Sequence, residues 1–264
     1  RWSGRAEVLV RLEGHGREDL FEDIDLTRTV GWFTSLYPVR LSPRQNLADS
    51  VKAIKEQLRA IPSRGIGYGL LRYLGSAEAR RTLETLPEGE IVFNYLGQFD
   101  GSFDEQRGLF APAREDGGAV MDEQAPLGAL LSVDGRVYDG ELSLGWTFSR
   151  EVFDEQTIQA LADEYGRELQ TLVEHCCQER NRGVTPSDFP LANLDQAGLD
   201  ALPVPAGEIA DLYPLSPMQQ GMLFHSLYEQ GGSDYVNQMR VDVEGLDVGA
   251  FHQAWLATVA SHEV

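Results

Sequence analysis

The chain has 264 residues and is acidic, with 42 Asp and Glu against 22 Lys and Arg and a net charge of −20. That balance argues against a nucleic-acid partner, because phosphate binding requires clustered cations, and positive charge here is almost entirely arginine, with lysine only at Lys52 and Lys55. No apolar run reaches the ~18 residues of a membrane span, and the adjacent pair Cys176 and Cys177 fits neither a disulfide nor zinc spacing, so both read as free thiols of a reducing cytoplasm.

Taken in order, residues 7–12 alternate apolar and polar side chains and predict a strand. It runs into Glu13-Gly14-His15-Gly16-Arg17-Glu18, where two glycines flank a histidine beside two carboxylates and an arginine. Titratable groups collected at a strand end are a common way to build an acid/base site. Arg28 to Pro38 is apolar and aromatic, and predicts a pocket floor that raises the pKa of a nearby carboxylate by desolvation. Residues 45–61 show helical spacing, closed by Pro62. Residues 63–69, with glycine at every second position from Gly65, read as a flexible loop; they match neither a P-loop nor a dinucleotide fingerprint. Short helices follow over 70–74 and 77–86.

Residues 91–96 predict a short apolar strand interrupted by Asn94. That side chain either satisfies a backbone group or orients a substrate carbonyl, since a buried amide left unpaired costs about 1–3 kcal/mol. Residues 101–126 read as a long surface loop or lid, 140–148 as an alternating strand and 153–176 as an amphipathic helix. Residues 181–205, rich in proline, read as a linker. Ser216, Pro217 and Gln219 then form a capping box that opens a helix.

Several of these stretches carry a family resemblance. EGHGRE (13–18) followed by RTVGWFTSLYP (28–38), IPSRGIGYGLLRYL (61–74), FNYLGQFD (93–100) and TPSDFPLANL (185–194) resembles, in order, the epimerisation domain of nonribosomal peptide synthetases. YPLSPMQQGMLFHSL (213–227) resembles the start of a condensation domain that accepts a D-configured donor. The resemblance implies an α/β fold of the chloramphenicol-acetyltransferase-like type, with a mixed sheet and flanking helices in partial domains. It divides the chain into the C-terminal part of an epimerisation domain (1–182), a linker (183–207) and the start of a condensation domain (208–264), a piece of a longer polypeptide. On that reading residues 238–244 are the first strand of the second domain and 248–259 its next helix.

The implied chemistry is inversion of an α-carbon in an aminoacyl or peptidyl thioester on the 4'-phosphopantetheine arm of a carrier protein. The resemblance implies no bound cofactor, neither a metal nor pyridoxal phosphate. Its partners are an upstream peptidyl carrier protein and adenylation domain and a downstream condensation domain. Glu13 carries over as an acid/base group. His15, Asn94 and Tyr95 are further catalytic candidates; His15 is either structural or a participant, and Tyr95 either a proton relay or an orienting group. Arg28, Trp32 and Phe33 are the substrate-binding candidates. Arg17 and Arg28 are expected to pair with Glu18, Glu22 or Asp25. The family's HHxxxDG motif does not occur in the sequence, so this chain alone is expected neither to epimerise nor to condense. An arginine patch at Arg64, Arg72, Arg80 or Arg81 is the expected carrier-docking surface. The rival readings are amide-bond condensation or acyl transfer by the main domain, and a non-catalytic module that only docks carriers.

Overall fold

The structure is a computed structural model; it describes residues 4–99, 118, 122, 124–178, 181, 183–228 and 238–262. The surface loop expected over 101–126 lies almost entirely outside the described residues. The chain divides into two compact units, Arg1–Tyr213 and Pro214–Val264.

The first unit is built on a five-stranded sheet. Its strands are β1 (Val8–Gly14), β2 (Ser35–Leu41), β3 (Ile91–Gln98), β4 (Leu131–Tyr138) and β5 (Glu141–Phe148), in the spatial order β2-β1-β3-β4-β5. The β1–β3 and β3–β4 pairs are parallel and the two outer pairs antiparallel, so the sheet is mixed. β2 does not follow from the sequence pattern, because Pro38 interrupts it. Pro38 is tolerated there because β2 is an edge strand with β1 as its one neighbour, and an edge can do without one amide donor. β4 is likewise hidden in the sequence, since Gly135 stands where the alternation calls for an apolar side chain.

Period-two alternation divides the sheet into two unlike faces. Leu131 and Val133 of β4 point to one of them and form a buried core with Ile158 of helix α4 (Glu155–Cys176), ringed by Ile91, Phe93, Leu144, Trp146 and Phe148. Trp146 meets Tyr165 of α4 edge to face at 5.6 Å. The register carries the other face across the same strands: Arg11 pairs with Val92, Val92 with Ser132, Ser132 with Thr147, and Glu13 with Leu36.

Helix α1 (Leu47–Arg59) is capped by Asn46, whose side chain accepts from the Asp49 amide at 2.8 Å. The glycine-rich stretch that follows is not a flexible loop. Residues Pro62–Gly65 form a 3-10 turn, α2 runs Ile66–Gly69, and a wider turn continues over Leu70–Leu74. Gly65 permits the change of direction: its φ is +83°, and a Cβ there would lie 2.3 Å from the Tyr37 ring. α3 (Ala77–Glu84) then leads to β3.

The stretch expected to be a linker is more ordered than that reading implies. It holds a 3-10 turn (Pro186–Asp188) and helix α5 (Gln196–Asp200), with Thr185, Phe189 and Leu199 buried. Charge and capping together hold it to α1. Lys55 meets Asp188 at 2.5 Å, Arg59 meets Asp188 at 2.7 Å, and Lys52 meets Asp200 at 2.8 Å. Ser187 Oγ donates to Glu56, and the Thr185 amide donates to Asp188 at 2.9 Å.

The second unit contains α6 (Pro217–Tyr228) and α7 (Val248–Ser261). The expected capping box is present: the Ser216 amide donates to Gln219 Oε1 at 2.8 Å and the Gln219 amide to Ser216 Oγ at 3.3 Å. Met218, Met222, Leu223 and Leu227, which the helical spacing of apolar residues would set toward a core, are exposed. Residues 238–243 are not a strand here. A strand needs a backbone partner, and among the described residues of this unit none pairs with them. Among the described residues no helix is long and apolar enough to cross a membrane.

Asp188 is the centre of the attachment to α1. Burial alone would push its carboxyl up, but hydrogen bonds from Lys55, the Thr185 amide and Arg59 reverse this and hold it well below the usual carboxylate range. An Asp whose native pKa is depressed adds stability above its unfolded value, about 3.9, and loses it as pH falls toward the native value. We therefore expect Asp188→Ala to cost about 2 kcal/mol in urea unfolding at pH 7. The gap to wild type should shrink steadily as the unfolding is repeated from about pH 5 down to about pH 3.

Candidate active site

Glu13 stands at the end of β1 on the sheet face that α4 leaves uncovered. It lines a cavity of about 360 Å³ together with Arg11, Leu36, Val92, Gly128, Ser132 and Asp134. Partial burial raises the Glu13 pKa first, and the charge of Asp134 raises it further. Asn94 pairs with Asp134 in the β3–β4 register and follows Val92 by two, which puts it on the same face as Glu13. Among the described residues its side-chain amide makes no hydrogen bond, so of the two roles open to it the backbone-satisfying one is not seen. Tyr95, one residue on, is on the opposite face, where its ring approaches Gly135 and the Leu144 side chain. The structure therefore sets Glu13 and Asn94 on one sheet face, with Asn94 outside the cavity lining, and Tyr95 on the other face.

The EGHGRE segment itself is split between two environments. His15 is not in the cavity lining. Its Nδ1 accepts the Arg17 amide at 3.0 Å, and its Nε2 lies 3.4 Å from Glu18. An Nδ1 that accepts leaves the ring proton on Nε2, facing Glu18. Glu18, whose side chain is 12% exposed, also meets Arg64 at 3.5 Å. Burial, with the Glu18 charge added, raises the Tyr37 pKa. This group closes the turn after β1 rather than entering the cavity.

Arg17 does not make the carboxylate pair expected of it. Its guanidinium donates to three backbone carbonyls, Leu26 at 2.9 Å, Thr29 at 2.6 Å and Gly31 at 3.2 Å, and lies 4.5 Å from the Phe33 ring centroid. The planar fork suits this multiple donation. It gathers residues 26–33 around itself and turns their apolar side chains outward: Val30 is 99% exposed and Trp32 92%. Arg28 is exposed as well. The aromatic stretch consequently does not floor the cavity; of it, Leu36 alone lines the walls. Asp25 accepts from Thr27 instead of an arginine.

Asp134 escapes a reading of the sequence by motif. Its signal lies in Leu131-Ser132-Val133-Asp134, where alternation sets a carboxylate on the polar face of a strand. Ser132 Oγ donates to it at 3.3 Å. Among the described residues, no three His, Cys, Asp or Glu side chains are grouped as a metal site requires.

Comparison with known proteins places this architecture. The family model for the condensation domain matches residues 1–194. The chain belongs to the condensation-domain family. This condensation-family chain is 49% identical over 267 residues to a linear gramicidin synthase polypeptide of Brevibacillus parabrevis, covering 100% of this chain and 3% of that protein. It is 34% identical over 267 residues to bacitracin synthase 3 of Bacillus licheniformis, covering 99% of this chain and 4% of the other. The chain thus spans a small part of the length of these relatives. Among solved structures, the epimerization domain from the third module of tyrocidine synthetase B aligns with a TM-score of 0.59 and 39% identity, over 66% of this chain and 39% of that one. The fold is the chloramphenicol-acetyltransferase-like α/β fold, and the chain corresponds to a fragment of a condensation/epimerisation-type domain of nonribosomal peptide synthetases, a catalytic family.

Gly16 lets the turn close. Its φ is +67°, and a Cβ would sit 1.6 Å from the Phe33 carbonyl oxygen. Gly16→Ala is expected to destabilise the unit by about 1–3 kcal/mol in urea unfolding. Gly67→Ala, in open space within a helix, should be neutral or stabilise by up to about 1 kcal/mol.

Proposed function

We propose that the first unit belongs to an epimerisation domain, which inverts the α-carbon of an aminoacyl or peptidyl thioester held on the phosphopantetheine arm of a carrier protein. The observation that carries this reading is Glu13: a carboxylate on an open sheet face, over a cavity, with its pKa raised. A glutamate tuned upward can take a proton as a base and return one as an acid near neutral pH. The solved epimerization domain it resembles supports the same assignment.

In the step proposed, a Glu13 carboxylate oxygen takes the α-proton, and the electrons of the C–H bond move onto the thioester carbonyl oxygen to give an enolate. A proton delivered to the other face of the α-carbon inverts the centre, and the carbonyl reforms. The Asn94 amide, on the same face as Glu13, is placed to donate to that oxygen as charge develops there. His15 acts by holding the turn. Arg28, Trp32 and Phe33 form an outer surface, available to the incoming arm rather than to the reacting carbon. The group serving the opposite face is assigned to the HHxxxDG motif, which this sequence does not contain.

The domain division is proposed as 1–182, 183–207 and 208–264, with the carrier protein, an adenylation domain and a following condensation domain as partners. Carrier docking is assigned to the arginine patch. Within it Arg64 already meets Glu18 and Arg72 meets Glu88, which leaves Arg80 and Arg81 on α3, both exposed, as its cations without an ion pair among the described residues.

The test uses the synthetase with its HHxxxDG segment and a loaded carrier. α-Proton exchange with deuterated water and the D/L ratio of the released acid are followed together. Glu13→Gln is expected to slow exchange by about 10²–10⁴-fold without changing carrier loading. Retention of configuration without exchange in wild type would favour condensation instead, and an effect of Glu13→Gln on carrier affinity alone would favour a docking module.

A further inference from the structure

The cavity that holds Glu13 has a second carboxylate and no cation paired to either. Glu13 on β1, Asn94 on β3 and Asp134 on β4 lie side by side on one face of three adjacent parallel strands. At the ordinary strand spacing their backbones span about 10 Å, and both acids line the same cavity of about 360 Å³. What surrounds Glu13 can be named element by element. β1 contributes Arg11, β2 contributes Leu36, β3 contributes Val92, β4 contributes Ser132 and Asp134, β5 contributes Thr147, and the 127–129 segment adds no charge; the neutral Asn94 is on the same sheet face but outside the lining.

The single cation of that lining has its hydrogen bond elsewhere. Arg11 donates its terminal nitrogen to the Gly128 carbonyl, and its Nε is buried without a hydrogen-bond partner. Among the described residues it forms no ion pair with Glu13 or Asp134. Arg11 therefore uses its donor to close the 127–129 segment over the cavity, and leaves two like charges to interact across it. Like charges in one site oppose joint ionisation, and the group in the less hydrated position takes the proton. Ser132 donates to Asp134 at 3.3 Å, which holds that carboxylate in the cavity wall.

We propose that Asp134 is a positioning residue whose carboxylate shares the cavity with Glu13 and acts through it, so that Glu13 can both accept and return the α-proton. The inference deepens the proposed function. It rests on that reading for its catalytic consequence, but the electrostatic coupling can be measured without turnover.

The 264-residue chain, labelled with ¹³C at the glutamate carboxyl, is titrated by NMR, with Glu13→Gln used to assign the Glu13 signal. Asp134→Asn keeps the shape and removes the charge; Asp134→Glu keeps the charge. The Glu13 midpoint should move to lower pH in Asp134→Asn and stay raised in Asp134→Glu. A midpoint that does not move in Asp134→Asn, or that falls equally in both variants, overturns the inference, the second outcome marking a purely structural role. In the loaded synthetase, the acid limb of the exchange-versus-pH profile should move to lower pH in Asp134→Asn. If the NMR shift occurs while Glu13→Gln leaves exchange intact, the coupling stands and the epimerase reading fails.

Discussion

The side-by-side parallel pairing of β1, β3 and β4 is the constraint on which the rest depends. It fixes which residues share a face, and alternation then gives each strand one side to each environment. Leu131, Val133 and Phe93 are committed to the core under α4. Their immediate neighbours in sequence, Ser132, Asp134, Asn94 and Val92, are thereby committed to the other side. A one-residue slip of β4 against β3 would exchange the two sets, burying Asp134 in the core and exposing Leu131 and Val133. The penalty for burying an unpaired carboxylate makes the register nearly obligatory. The same apolar packing that folds the unit thus assembles the polar face, without any direct bond between Glu13, Asn94 and Asp134.

The turn after β1 solves a separate problem: how to end a strand beside a cavity and keep its last carboxylate accessible. Gly16 takes a left-handed conformation with no room for a side chain, and Arg17 draws three carbonyls of the 26–33 loop to one guanidinium. Donors that would otherwise compete for Glu13 are consumed in the turn. His15 and Arg64 go to Glu18, and Arg17 goes to backbone. Had any of them reached Glu13, its positive charge would oppose the upward shift of the Glu13 pKa. The conspicuous charges of EGHGRE serve the turn so that the first of them can serve the cavity.

Much of this is legible in the sequence, but unevenly. β1, α1, β5, α4 and the capping box at Ser216 follow local rules of period and capping, and local rules are enough. β2 is not legible because its tolerance of Pro38 depends on its being at the edge, which is a property of the sheet and not of the segment. The glycines at 65, 67 and 69 suggest flexibility, yet Gly65 is there because the Tyr37 ring packs on it, a contact between distant residues. The aromatic run 28–38 suggests a pocket floor, and Arg17 turns most of it outward. Of the site, Glu13 is found by its motif. Asp134 is not, because its relation to Glu13 exists only through β3 between them. Residues 183–205 look like a linker by composition, and the acids and hydroxyls that hold them to α1 act only once Lys52, Lys55 and Arg59 line up along a helix.

Where Arg11 points decides how the cavity can work. An arginine in contact with either acid would stabilise both as carboxylates and leave little tendency for Glu13 to hold a proton. The geometry instead directs the guanidinium to the Gly128 carbonyl, where it fixes the wall of the cavity, and among the described residues it forms no ion pair with either acid. The result is a site whose acids form no ion pair among the described residues, on the sheet face opposite α4. Such a site is electrostatically unfavourable in the folded protein, which is a reason to expect its strain to be compensated in rigid elements nearby. The buried core beneath the same strands provides that support: Leu131 and Val133 anchor β4 on either side of Ser132, and so hold Asp134 at a fixed register from Glu13.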